Sequence, residues 1–342
     1  MDTLDLAYKR LASFENTVIP TNIQKLIACH SELTSLAGLD ELANLTNLYI
    51  SGNTELTSLV GIESLINLTE LYAYNNQLTN LTGLGQLVNL KILCINSNKL
   101  TSLVGLELLT NLTELNVNNN KLTSLVSIKN LVNLTKLYII DNNLTSLDDL
   151  NQLINLKELY ASRNNLTSLA GIESLINLTD LYIDFNNLTS LDDLNQLINL
   201  IDLHVCMNKL TSLAGIENLV NLKDLDVSMN KLTSLAGIEN LVNLIYLDVG
   251  TNKLTSLIPI YKLSKYIKHI YYYDNKLLPI AQLNLIKYVD KNKFDNYIYW
   301  QLCRKFPRHF KIAIFKSLKN LLVNEFKNEL SKNEHLKIVY KL

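Results

Sequence analysis

The chain has 342 residues, enough for one large core or one continuous solenoid. Its formal charge of −1 hides an asymmetry: from Lys276 onward there are 14 Lys and Arg against 5 Asp and Glu, leaving 17 against 27 in residues 1–275. No apolar run approaches the ~20 residues that span a bilayer, and the start Met1-Asp2-Thr3-Leu4-Asp5 is acidic where a secretory signal is basic.

These features point to an intracellular, cytoplasmic protein with an acidic body and a lysine-rich, solvated tail. Cys29, Cys94, Cys206 and Cys303 form no Cys-x-x-Cys pair, and no disulfide framework is expected. Asn-Leu-Thr occurs nine times, as at Asn44, Asn67 and Asn111. Each is formally a glycosylation sequon, but the periodicity described below is sufficient to generate them.

Residues 1–22 read as an N-terminal helical cap. Leu4, Tyr8, Leu11 and Phe14 fall at helical spacing and Pro20 ends the segment. Beyond it a repeat begins. An Asn recurs at Asn53, Asn76, Asn98, Asn120, Asn142, Asn164, Asn186, Asn208, Asn230, Asn252 and Asn275, with Ser31 in the same slot before them. From Asn76 to Asn252 the step is 22 residues, eight times running. Two 23-residue steps flank this run, one from an extra residue at Thr54-Glu55 and one from the irregular stretch 258–267. About twelve units span residues 23–277, and chance does not hold a period that long.

Each unit has the form of Leu112-Thr113-Glu114-Leu115-Asn116-Val117-Asn118-Asn119-Asn120-Lys121-Leu122, followed by Thr-Ser-Leu125. This resembles a leucine-rich repeat. The 22-residue length and the phrase Asn-Lys-Leu-Thr-Ser-Leu-Ala-Gly-Ile-Glu-Asn-Leu-Val-Asn-Leu (230–244) are similar to the SDS22-like and internalin-type subclass. The resemblance implies an α/β solenoid, a right-handed superhelix with one short parallel strand per repeat. It carries no catalytic residues.

The residues argue the same way. In Leu137-Tyr138-Ile139 the two-residue alternation turns Leu137 and Ile139 inward and Tyr138 outward. One unit cannot bury its own leucines, so its neighbours must supply the walls. The recurring Asn has a donor and an acceptor on one short side chain, which suits it to satisfy buried backbone at a turn. That column, Asn53 to Asn275, is expected to be structural.

After the Asn, Leu-Thr-Ser-Leu leads to a turn marked by Gly38, Gly61, Gly83, Gly105, Gly171, Gly215 and Gly237; Ser127, Asp149, Asp193 and Pro259 replace Gly in other units. About ten residues return the chain, too few for a long helix. Short 3-10 or irregular backs and gentle curvature are expected. Residues 278–342 leave the repeat. They read as a basic, helical C-terminal cap or small module, with Phe315, Leu318, Leu322, Phe326 and Leu330 striping a helix over Phe310–Lys332. The Leu278-Pro279 opening faintly resembles F-box-like adaptor helices, without their acidic residue.

Motifs for catalysis are missing: there is no His-Glu-x-x-His, Gly-x-Ser-x-Gly or Walker A sequence, and His30, His204, His269, His309 and His335 never fall at metal-ligand spacing. No enzyme activity, cofactor or metal is expected. What remains is the outward face of the sheet. One column carries Tyr49, Tyr72, Tyr138, Tyr160, Tyr182, His204, Asp226 and Asp248, interrupted by Cys94 and Asn116. Tyr74 and Phe185 lie in adjoining columns. Beside them runs an acidic column of Glu70, Glu114, Glu158, Asp180, Asp202 and Asp224.

Tyrosine gives contact area at low entropic cost, and clustered acids steer a basic partner. The expectation is a non-enzymatic module that binds a protein partner with a basic surface on a concave sheet face, and neither nucleic acid nor membrane. Tyrosines also favour strands on their own account, so the same column could serve only to stabilise the sheet. Two alternatives are an adaptor whose residues 278–342 recruit an activity such as a ubiquitin ligase, and the phosphatase-regulatory role that the SDS22-like resemblance implies. Sequence alone sets no oligomeric state.

Overall fold

The computed structural model describes residues 2–263 and 267–277. The expected C-terminal module and its helix over 310–332 lie outside the described residues. Within them the chain is a solenoid whose strands stack in strict chain order into one parallel sheet. The strands are β1 (Thr3–Asp5), β2 (Lys25–Ile27), β3 (Asn47–Tyr49), β4 (Glu70–Tyr72), β5 (Ile92–Cys94), β6 (Glu114–Asn116), β7 (Lys136–Tyr138), β8 (Glu158–Tyr160), β9 (Asp180–Tyr182), β10 (Asp202–His204), β11 (Asp224–Asp226), β12 (Tyr246–Asp248) and β13 (His269–Tyr271). Pairing is in register, Leu to Leu, so that Leu137 lies between Leu115 and Leu159. Leu137 and Ile139 are fully buried, as the alternation requires.

The N-terminal helix does not form. Residues 3–5 make strand β1, paired with β2, and no α-helix occurs among the described residues. The reason is visible in the offsets. Leu4 pairs with Leu26 in register, and Leu6, Leu11 and Phe14 stand 22 residues before Ala28, Leu33 and Leu36. The backbone follows that template: the amides of Leu6, Leu11 and Phe14 donate to the carbonyls of Ile27, Ser31 and Ala37. The first 22 residues are thus a further, degenerate turn of the same coil. Phe14 is buried at its centre, and Tyr8, which the helical reading placed on the apolar face, is exposed. Next-turn hydrogen bonds and burial of Phe14 override a weak 3.6-residue pattern.

The asparagine column runs along the buried edge of the sheet. Asn142 Nδ2 donates to the carbonyls of Ile139 in its own turn and Val117 in the turn before, while Oδ1 accepts from the amide of Leu122. Asn164, Asn186 and Asn208 repeat the set at the same offsets. One residue before each slot of this column, held by Lys9, Ser31 and then Asn, the backbone enters the left-handed region, from Tyr8 (φ 59°) and His30 (φ 53°) through Phe185 (φ 53°) to Asp274 (φ 50°), with Gly52 the only glycine in the column among the described residues. For most side chains that conformation costs ~1–2 kcal/mol, and here it aims the next residue, the Asn, into the core.

A second asparagine column lies on the back. Asn89, Asn155, Asn177 and Asn199 each donate to the carbonyl 23 residues earlier, those of Ile66, Val132, Ile154 and Ile176. It includes five of the Asn-Leu-Thr asparagines, Asn44, Asn67, Asn111, Asn133 and Asn177, whose amides are all engaged in this way.

The backs take two forms, chosen by one residue. Where Gly stands at the turn its φ lies between 95° and 109°. Where Ser127, Asp149, Asp193 or Pro259 replaces it, the back is a 3-10 turn: Val126–Ile128, Asp148–Leu150, Asp192–Leu194 and Ile258–Lys262. A side chain at φ near 100° is strained, so the Gly-less units fold the αR way instead. In the Gly units a Glu two residues on often accepts from the Gly amide, as Glu173 does from Gly171 and Glu217 from Gly215, both at 2.8 Å. This explains the recurring Gly-Ile-Glu.

Candidate functional site

The outward sheet face is built by the register. Because strands pair residue for residue, the same position in successive units forms a row at the ~4.8 Å strand spacing, close to the distance at which flat rings stack. Tyr138, Tyr160, Tyr182 and His204 form one continuous stack, with ring centroids 4.8, 4.8 and 4.4 Å apart and planes within 21°. Tyr49 and Tyr72 form a separate pair at 4.6 Å. Cys94 on β5 and Asn116 on β6 divide the two. Tyr74 is exposed one column over, and Phe185 sits in the left-handed column with the Arg163 guanidinium 4.5 Å above its ring.

Burial pushes the phenols of Tyr72, Tyr138 and Tyr182 up to about 12, helped by neighbouring carboxylates. They therefore stay neutral hydroxyls at any physiological pH. Burial likewise pushes the Cys94 thiol up to about 12, which suits packing and not nucleophilic chemistry.

The acidic rows are not uniform along the solenoid. From β4 to β8 two of the row's three carboxylates, Glu70 and Glu158, are engaged within the face. Glu70 accepts from the Tyr49 hydroxyl at 3.3 Å; Glu158 accepts from the Tyr138 hydroxyl at 3.4 Å and pairs with Lys136 at 2.7 Å. From β9 to β12 the balance changes. Asp180, Asp202 and Asp224 occupy one row, and Asp226 and Asp248 the next but one. Burial raises the carboxyls of Asp202 and Asp224, with the charge of Asp180 adding to the effect at Asp202. Burial pushes Asp248 up to about 6, although its Oδ1 accepts from the Gly250 amide at 2.8 Å.

His204 Nε2 lies 3.5 Å from Asp224 Oδ1, a distance too long for a good hydrogen bond, and that buried oxygen has no hydrogen-bond partner. The stack therefore ends in a patch of under-neutralised carboxylates. Sequence reasoning missed Asp184, which belongs to a third row. It holds the Cys206 amide at 2.8 Å and the Ser162 hydroxyl at 3.2 Å, so its part is to brace the face. Its position two residues past Tyr182 was the available signal. Among the described residues no group of His, Cys, Asp and Glu is placed to hold a metal ion, and no helix is long and apolar enough to cross a membrane.

Comparison with known proteins agrees with this architecture. A family profile described as "Leucine Rich repeats (2 copies)" matches residues 66–108 and 154–196. A leucine-rich-repeat protein of Leptospira interrogans is 30% identical over 78% of this chain and 82% of its own, with a TM-score of 0.55. An internalin of Listeria monocytogenes is 26% identical over 79% of this chain and 80% of its own, with a TM-score of 0.72. YopM from Yersinia enterocolitica is 29% identical over 80% of this chain and 56% of its own, with a TM-score of 0.66. No curated protein sequence matches the chain. The chain belongs to the leucine-rich-repeat family, as its repeat phrase implies. Proteins of this family typically serve as non-enzymatic scaffolds for protein–protein interaction.

Proposed function

We propose that the protein binds a protein partner on its exposed sheet face, with the ring stack from Tyr138 to His204 as the anchor and the carboxylates from Asp180 to Asp248 receiving a basic segment. The observation that carries this reading is the junction of the two. A continuous aromatic row runs directly into carboxylates that no Lys or Arg of the face pairs with among the described residues. Rigid rings bury area at low entropic cost, and a basic partner supplies the missing counter-charge. The concave curvature expected from slim backs would wrap the face around such a segment. The adaptor alternative rests on residues 278–342, outside the described residues, and nothing on the sheet face favours a phosphatase over other proteins.

The test is affinity capture from the native cell with the whole chain and with a Tyr138→Ala/Tyr160→Ala variant. Both tyrosines are only part-buried, so the fold should survive, as circular dichroism would verify. The double variant should lose the partner. Undiminished capture by it would remove the ring stack from the binding site.

A further inference from the structure

The ring row has two interruptions, and they differ in charge. Between Tyr72 and Tyr138 the two turns carry Cys94 and Asn116. Beyond His204 the next two turns carry Asp226 and Asp248, and the third carries Tyr271. At ~4.8 Å per strand this second gap runs roughly 14 Å from ring to ring. Two carboxylates floor it, each folded onto its own backbone. Asp226 Oδ1 accepts from the Ser228 amide at 2.9 Å, and Asp248 Oδ1 from the Gly250 amide at 2.8 Å. Asp202 and Asp224 stand in the next outward row.

The rest of the surface shows what fits such a gap. Lys25 Nζ lies 4.5 Å over the ring of Tyr49, and the Arg163 guanidinium lies 4.5 Å over that of Phe185. A ring face and a carboxylate both attract a cation. Beyond His204 the carboxylates are present without one. Among the described residues, His204 is the one basic side chain that acts on Asp202 and Asp224. The gap therefore suits a segment in which cations alternate with aromatic side chains. The same chain carries such a segment. Residues 276–342 hold 14 Lys and Arg against 5 Asp and Glu. From Asn296 to Asn324 there are Arg304, Lys305, Arg308, Lys311, Lys316 and Lys319 and no acid, and 304–311 reads Arg-Lys-Phe-Pro-Arg-His-Phe-Lys. The described residues end at Leu277, just past β13. From β13 back to β10 is three strand steps, roughly 14 Å. The 26 residues between Leu277 and Arg304 can span up to about 85 Å.

We propose that residues 304–311 occupy the gap beyond His204 in the same molecule, so that the sheet face is closed by its own chain until a stronger partner displaces it. This rests on the reading of that face as the receptor of a basic segment. Residues 1–275 carry 27 Asp and Glu against 17 Lys and Arg, so the body as a whole draws the acid-free run toward it. Tethering makes the contact intramolecular, at an effective concentration near millimolar. A segment too weak to bind as a free peptide therefore still fills the site. An outside partner has to exceed it through its grip on the ring stack from Tyr138 to His204, which the gap leaves uncovered.

Zero-length carbodiimide cross-linking of the whole chain at submicromolar concentration, mapped by mass spectrometry, tests this. Amides should form between Lys305 or Lys311 and Asp202, Asp224 or Asp226 within the monomer. Arg304→Glu with Arg308→Glu keeps both lysines and all three aspartates, and should lower the yield at least ten-fold. Salt at about 0.5 M should do the same to the unaltered chain, because it screens charge beyond a few Å. The double variant should also bind an arginine-rich peptide at least ten-fold tighter, because its face stands open. Cross-links found only between two copies, or spread equally over carboxylates of the backs such as Glu63 and Glu107, overturn the proposal. So does a peptide affinity that the double variant leaves unchanged. Absence of these cross-links in a chain that still captures a partner through Tyr138 and Tyr160 removes this inference and spares the binding reading. Their presence in a chain that captures nothing does the reverse.

Discussion

At the scale of the residue, one asparagine per turn does work that no apolar side chain could replace. Asn142 satisfies three buried backbone groups in two turns. Each group left unpaired costs ~1–3 kcal/mol. Asn142→Leu keeps the branched outline, with methyl groups in place of the polar atoms, and loses all three bonds, so it should destabilise the solenoid by at least ~3 kcal/mol. Urea unfolding of the two proteins would read this directly; superimposable curves would contradict it. The asparagine column was legible from its period alone. The left-handed column beside it was not, because Tyr8, Arg163, Phe185, Met207 and Thr251 all occupy it. The neighbouring Asn dictates the backbone there, so side-chain identity leaves little trace. The second asparagine column was hidden differently. Its members sit in Asn-Leu-Thr, Val-Asn-Leu or Ile-Asn-Leu phrases that read as exposed polar positions, and only the hydrogen bonds at 23-residue separation show their use.

At the scale of the element, the informative comparison is between backs that keep Gly and backs that lose it. Units with Asp or Ser in that slot switch to a 3-10 turn, so the repeat tolerates both sequences without changing its length. A Cβ on Gly215 would sit inside contact distance of the Leu191 carbonyl oxygen, at a φ of 102°. Gly215→Ala should therefore cost ~1–3 kcal/mol. Installing the 192–195 sequence Asp-Asp-Leu-Asn at 214–217 should recover most of that loss, because it supplies the alternative back as a whole. Thermal melts of the two variants would show it; equal losses would mean that the Gly does not select the turn. The sequence pattern anticipated short backs and placed their turns from Gly38 to Pro259, but the residues that replace Gly did not reveal that the back itself changes form. The first turn was misread for a related reason. Leu4, Tyr8, Leu11 and Phe14 satisfy a helical spacing by chance, while Leu4, Leu6, Leu11 and Phe14 satisfy the 22-residue offset. In a solenoid the longer period is the one with hydrogen-bonding consequences.

At the scale of the whole molecule, charge is distributed along the coil in a way no single unit reveals. The tyrosine row is legible in the sequence as an alternation, but its division into a pair and a four-ring stack, and the neutralisation of Glu158 by Lys136, depend on cross-strand neighbours. The pH behaviour follows from the carboxylates at the other end. Asp248 is held near 6, and Asp202 and Asp224 are raised in the same direction. A carboxyl whose folded pKa is raised binds its proton more tightly in the folded state, so its contribution to stability falls as pH rises from about 4 through 6. Binding of a cationic segment responds in the opposite sense, because protonation removes the charge it needs. Titration calorimetry with an arginine-rich peptide should show weaker binding at pH 5 than at pH 7.5, and Asp224→Asn with Asp248→Asn should abolish most of the difference. Equal affinity at both values would argue against a carboxylate-led site.

The asparagine column also has a direction. From Asn98 to Asn252 each Asn reaches back, donating to a carbonyl 25 residues earlier and accepting from an amide 20 residues earlier, as Asn186 does with Ala161 and Leu166. A coil is therefore finished by the first residues of the one that follows it. During synthesis the chain emerges from its N-terminus, so each coil can be locked as soon as the next strand clears the ribosome. The molecule can thus be assembled while still being made, with no more than its newest coil open at any moment.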